Sequence, residues 1–275
     1  MQLGRFERER EKMQEPEFAL DLFPGGVPPF EILKMNLESI AELLQVPMAS
    51  DDHTVQELAY IGVVCYSEAF FKDHFASVLN IFPQKTVGLR DCGRDVSVDL
   101  TDLLELDNPL HNKFGFLLSE RFNFGSPKSI NALYKDLLLI TPFSKENALA
   151  FDRILATRNL LVHHGGILTS QFNRGISAAT RERTYFDSVS VTKKSIGEAA
   201  LLALDVIKGT AKATVSNLCK EIAGLADSDV LHKAVTFLGF EAGSDAGLAK
   251  SLSMLISGES PFGNSGGITD EDVPF

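Results

Sequence analysis

From Asp52 to Phe82 apolar residues return at steps of three and four, at Val55, Leu58, Ala59, Gly62, Tyr66, Ala69 and Phe70, and Pro83 closes the run. That spacing is the helical period, and a proline just past its end stops a helix. A second such run, Ile196, Ala199, Ala200, Ala203, Val206, Ile207, Thr210, Thr214 and Leu218, predicts another long helix over about residues 194–223. Two helices of this length, each with an apolar stripe, have to cover those stripes with other helices. Shorter helices are expected over about 37–45, 98–106, 112–121, 128–140 and 228–240, with breaks at Asn108-Pro109 and Phe124-Gly125-Ser126-Pro127. The fold class is therefore mainly α, an antiparallel helical bundle.

The ends of the chain read differently. Residues 1–50 hold Pro16, Pro24, Pro28, Pro29 and Gly25-Gly26, which predicts an N-terminal arm with one short helix. Residues 51–240 form the helical domain, and 241–275 are expected to be flexible linker and acidic tail. With 275 residues, 44% of them apolar and 23% charged, the chain can bury a sizeable core. No apolar run reaches the ~18 residues a membrane span requires, so no membrane contact is expected. Residues 1–12 alternate Arg and Glu and are no secretory signal. Cys65, Cys92 and Cys219 are odd in number and far apart, as expected of reduced thiols in the cytoplasm. The net charge of −11 disfavours a broad DNA-binding surface. Within it lies a basic island: seven Lys and Arg between Arg153 and Lys194 against Glu182 and Asp187, a local +5.

That island contains the most informative segment, Thr157-Arg-Asn-Leu-Leu-Val-His-His-Gly-Gly166. Ser144 is placed to cap a helix running to about His164, and Gly165-Gly166 to end it. On that helix Ala148, Phe151, Leu155, Arg158 and Val162 share one stripe, which puts a guanidinium on the apolar face. Burying it unpaired costs several kcal/mol, so a carboxylate, backbone carbonyls or a ligand phosphate has to hold it. Glu68 either pairs with Lys72 one turn on or supplies that carboxylate. Arg158 and His163 diverge by about 140° on an ideal helix. A second copy across a two-fold axis would bring both pairs to one cleft.

Arg158-Asn159-Leu160-Leu161-Val162-His163, followed by His164-Gly165-Gly166, resembles the signature of the HEPN superfamily, an Arg, a polar residue, a short spacer and a His near a helix end. The resemblance covers roughly residues 52–225. It implies a metal-independent endoribonuclease working as a homodimer, with no cofactor and no metal, of the kind found in toxins and anti-phage effectors. His163 would move the proton of a ribose 2′-hydroxyl or of the leaving oxygen. Arg158 would stabilise transition-state charge on phosphorus. Asn159 would orient the ribose or the imidazole, and His164 is a further candidate. Arg153, Arg174, Arg181 and Arg183 would hold a selective RNA substrate. The alternative is a non-catalytic HEPN-like interaction module in which Arg158 and His163 fix the helix end.

The chain ends in Gly263-Asn-Ser-Gly-Gly-Ile-Thr-Asp-Glu-Asp-Val-Pro-Phe275. Asp270, Glu271, Asp272, Val273, Pro274 and Phe275 resemble the C-terminal tip of bacterial single-stranded DNA-binding proteins. The resemblance implies a peptide ligand for replication or repair proteins, its ring in an apolar pocket and its acids on a basic rim. Other residues have simpler expectations. His53, His74, His111 and His232 lack metal-ligand spacing, Asp99, Asp102 and Glu105 read as a solvated helix face, and the 20 phenylalanines read as core. No GxSxG, HExxH or GxGxxG is present, so common hydrolase, zinc-protease and dinucleotide-binding classes have no support.

Overall fold

A computed structural model describes residues 16–46, 52–99, 101, 113–170, 172, 187–222, 228–239 and 245–258. The described residues are mainly helical. After two 3₁₀ turns at Pro16–Leu22 and Pro24–Gly26 come α1 (Pro29–Leu43), α2 (His53–Ile81), a 3₁₀ turn at Pro83–Lys85, α3 (Thr86–Asp91), α4 (Phe114–Ser119) and α5 (Pro127–Leu138). Then follow α6 (Lys145–His164), α7 (Lys193–Ile222), α8 (Ser228–Leu238) and α9 (Ala246–Ser257).

α2 starts where its chemistry dictates. The Asp52 carboxylate accepts the backbone N–H groups of Thr54 and Val55 at 2.8 and 3.4 Å, the arrangement of an N-cap. It ends at Phe82, whose backbone has left the helical region ahead of Pro83. Around it stand α1, α4, α6, α7 and α8. Its buried residues include Ala59, Tyr60, Val63, Val64, Ser67, Phe70, Phe71, His74, Phe75, Val78 and Leu79. The stripe expected from spacing is corrected by this placement. Leu58 is 62% exposed, and Cys65, Tyr66 and Ala69 also face outward. Apolar residues lie on nearly every side of α2, so its sequence period alone does not select the inner face.

Three further differences from expectation have local causes. α1 begins at Pro29, eight residues before Leu37, because a proline in the first helical turn forgoes an N–H that has no partner there. Phe30, Leu33, Leu37 and Ile40 of α1 are buried in the common core, so this part of the expected arm belongs to the body. The linker expected over 241–275 is corrected for residues 246–257, which form α9 and bury Leu248, Leu252 and Leu255 against α7 and α1. At Gly197 a Cβ would meet Ile256 Cγ1 at 2.9 Å and the Leu252 carbonyl oxygen at 3.0 Å, so the glycine sets how closely α9 approaches. The expected stripe of α7 is buried throughout. The helix expected near 98–106 falls largely outside the described residues.

An aromatic cluster fills the centre. Phe71 packs edge-on against Phe70 and Tyr134, Phe75 against Phe122, Phe124 and Tyr134, and Phe143 lies against both Phe71 and Phe151. His74 is fully buried in this cluster, stacked on Phe70 and Tyr134. The Tyr134 hydroxyl donates to the Phe71 carbonyl at 3.0 Å, which leaves its oxygen to accept from His74 Nδ1, also at 3.0 Å. Burial pushes the His74 pKa down to about 3, opposed by the Leu238 backbone.

Two predictions follow from the packing of α2. At Gly115 a Cβ would overlap the Ala76 carbonyl oxygen, while the Gly115 N–H donates to the Asn80 side chain at 2.7 Å. Gly115→Ala should destabilise the protein by about 3 kcal/mol, read as a lower urea midpoint. An unfolded histidine titrates near 6.5, well above the folded His74. The neutral ring's contribution is therefore complete above about pH 6.5 and is lost as pH falls toward 3, with a slope reaching ~1.4 kcal/mol per pH unit. In His74→Phe the fall in unfolding free energy between pH 6 and pH 4 should be shallower than in the native chain by that amount.

Candidate functional site

α6 carries the Arg-Asn-x-x-x-His segment. Ser144 accepts the Asn147 N–H at 3.1 Å and starts the helix where expected. Gly165, at φ 56°, and Gly166, at φ 78°, turn the chain in the left-handed region that favours glycine. The Gly166 N–H donates to the Leu160 carbonyl at 3.0 Å. The chain then makes a short antiparallel bridge, Ile167 with Ser188. In it the Leu168 N–H donates to the Asp187 carbonyl at 2.9 Å and the Val189 N–H to the Gly166 carbonyl at 2.8 Å. Four residues after Val189, Lys193 opens α7.

The contacts of α6 with α2 give its direction. Phe143, just before α6, packs on Phe71, while Thr157, near its far end, hydrogen-bonds Tyr60. The last turn of α6 therefore lies toward the first turn of α2. Burial raises the Tyr60 pKa to about 12 against the Thr157 hydrogen bond, which keeps this contact neutral.

Arg158 is held by Glu68, its Nη2 donating to Glu68 Oε1 at 2.5 Å. The two side chains are 19% and 21% exposed, so the pair lies at the edge of the core, neither sealed nor free in solvent. The Nε of Arg158 is buried without a hydrogen-bond partner among the described residues. Burial pushes the Glu68 carboxyl above its ordinary value, and the charge and hydrogen bond of Arg158 pull it back. Of the two readings of Glu68, the structure selects the partner of Arg158. Lys72 instead lies 3.9 Å from Glu120.

The remaining motif residues are on the outside. Asn159, His163 and His164 are exposed, and no hydrogen bond or ion pair joins Arg158 to His163 within the chain. The expected stripe is right for Phe151 and Leu155 and is corrected at its end. Val162 is 49% exposed, and the last turn buries Leu160 and Leu161 instead. The chain folding back through Gly166 onto Leu161 explains the change of face, since a Cβ at 166 would lie 3.7 Å from Leu161 Cδ2. Arg153 is exposed on the same helix. Arg174, Arg181 and Arg183 lie outside the described residues, as do Asp270, Glu271, Asp272, Val273, Pro274 and Phe275.

Residues that sequence spacing did not bring together meet at the same end of the helices. His53 at the start of α2 and Lys193 and Lys194 at the start of α7 border one cleft with the last turn of α9. Nothing local in the sequence connects them, since His53 and Lys193 are 140 positions apart and Lys193 and Leu255 are 62 apart. Among the described residues no three His, Cys, Asp or Glu side chains are grouped to hold a metal ion, and no helix is long and apolar enough to cross a membrane. No family model, no curated protein and no solved structure matches the chain.

The Glu68–Arg158 pair makes a direct prediction. Removing either partner strands the other at the edge of the core, so Glu68→Ala and Arg158→Ala should each destabilise the fold. The double variant should lose less than the sum, by about 1–3 kcal/mol in a denaturation cycle. Strict additivity would show that the two side chains do not interact energetically.

Proposed function

We propose that this chain is a HEPN-like, metal-independent endoribonuclease whose site is completed by a second copy across a two-fold axis. The observation that carries the reading is the division of labour on the last turns of α6. Arg158 is fixed by Glu68 at the rim of the core, while Asn159 and His163 stand exposed ahead of the left-handed Gly165. Glu68 takes one terminal nitrogen of the guanidinium, and a phosphate would be met by the rest of the fork.

In the proposed reaction the ribose 2′-oxygen attacks the adjacent phosphorus, and the bond from phosphorus to the 5′-oxygen breaks. One histidine takes the 2′-hydroxyl proton. The leaving 5′-oxygen receives a proton from the same residue of a second copy, giving a 2′,3′-cyclic phosphate and a 5′-hydroxyl. Arg158 stabilises the charge that builds on the phosphorane oxygens. Arg153 adds to the basic surface, and the mainly helical fold is compatible with the proposed HEPN-like bundle.

A second reading is favoured by a specific observation, the engagement of Arg158 with Glu68. If that ion pair is permanent, the segment serves to fix the helix end and the dimer seam of a non-catalytic HEPN-like module. Its C-terminal tip would then carry the interaction with replication or repair proteins.

Cleavage of single-stranded RNA in EDTA separates the two. The native chain should yield 2′,3′-cyclic ends, and His163→Ala and Arg158→Ala should each reduce the rate at least 100-fold with the helical circular dichroism unchanged. A strict metal requirement, or full activity in both variants, would overturn the mechanism. A dimeric native chain without cleavage of any RNA supports the module.

A further inference from the structure

The first turns of α2 and α7 and the last turn of α9 surround an open cleft of about 520 Å³. Its floor is apolar, from Val191 and Leu255, both buried, and the half-buried Ile256. Its rim is basic, from Lys193, Lys194 and His53. α2 and α7 begin beside this rim, but the first N–H groups of α2 are held by the Asp52 carboxylate and that of Ser195 by Thr192, so the positive charge of the rim rests on the lysines. Lys194 lies 3.9 Å from Glu198 on the same helix, an exposed pair of the kind that competes weakly with other anions.

We propose that this cleft is the docking site of the chain's own C-terminal segment, Ile268–Phe275. Position favours it first. Gly258, the last described residue, is part of the cleft wall, so the chain that follows starts at the cleft. The nine residues 259–267, five of them Gly or Ser (Ser260, Gly263, Ser265, Gly266 and Gly267), supply the length to return. At about 3.3–3.6 Å per residue they reach roughly 30 Å when extended.

Chemistry favours it next. Asp270, Glu271 and Asp272 bring three carboxylates with no Lys or Arg in the segment, to be met by Lys193 and Lys194 on the rim. Ile268, Val273 and Phe275 supply apolar groups for a floor of Val191, Leu255 and Ile256. Tethering completes the argument. A short linker presents its own end at a local concentration on the order of millimolar, so even a weak site is occupied.

The test uses the intact chain, made as a mixture of ordinary and isotope-labelled protein and treated with a zero-length carbodiimide cross-linker at low salt. The expected product joins Lys193 or Lys194 to Asp270, Glu271 or Asp272 within one chain. Its yield should fall at least fivefold in 1 M NaCl, in Phe275→Ala, and in Lys193→Glu/Lys194→Glu. It should return when that variant also carries Asp270→Lys/Asp272→Lys. Hydrogen exchange of residues 53–56 and 255–258 should be at least threefold slower in the native chain than in Phe275→Ala. The proposal is overturned if the tail links equally to Lys208, Lys212 or Lys220, or if Phe275→Ala changes neither readout. Links found only between labelled and unlabelled chains would assign the cleft to a second copy's tail. An RNA oligonucleotide that shields Lys193 and Lys194 equally in the native chain and in Asp270→Asn/Asp272→Asn would assign it to nucleic acid.

Discussion

The burial of α2 is the constraint on which the other helices depend. A 29-residue helix with apolar groups on almost every side has to be covered from several directions, and α1, α4, α6, α7 and α8 do so. Close approach is arranged at specific points. Gly115 lets α4 sit against the Ala76 carbonyl, and Asn80 ties the Gly115 N–H and the Leu22 carbonyl to the same turn of α2. Ser67 and Ser77, both buried, satisfy their hydroxyls on carbonyls one turn back, at 2.7 Å each. The polar groups in the centre of the protein are thus answered mostly by α2 itself or by elements laid directly on it.

The same constraint fixes the motif helix. Arg158 belongs to α6 and Glu68 to α2, and the distance between them is set by aromatic packing of Phe71, Phe143 and Phe151 below and the Tyr60–Thr157 contact above. His163 has no such anchor and takes its place from the helix end alone. One functional candidate is therefore held by the core and the other presented by it. In the two-copy site proposed above this asymmetry would be useful, since the held residue would keep its position while the presented one met the second copy.

Much of this was legible from residue spacing, and the reasons for the exceptions are physical. Asp52 and Pro83 bracket α2, and Ser144 and Gly165 bracket α6, because caps and breakers act locally and carry their meaning in the sequence. The inner face of α2 was not legible, since Leu58 and Tyr66 are as apolar as the residues that are buried. α9 shows Leu248, Leu252 and Leu255 at helical steps, a pattern too short to stand out beside Gly-rich sequence. At the site, Arg158's need for a partner followed from its place on an apolar face. That the partner is Glu68, ninety positions away, depends on how α2 and α6 cross and is written in no local pattern. The cleft at His53, Lys193 and Ile256 is non-local in the same way.

The bridge between Gly166–Leu168 and Asp187–Val189 closes the span between α6 and α7 at its base. That closure joins the end of α6 to the start of α7 by backbone hydrogen bonds, and Phe172 just inside it packs against the core. Lengthening such a closed segment raises its entropy penalty slowly, by about 0.6 kcal/mol for each doubling. A change in the number of residues between Phe172 and Asp187 should accordingly leave the bridge in place, and with it Arg158, His163 and Lys193. The helix ends that carry the candidate residues are thus tied to each other by backbone as well as by side-chain packing.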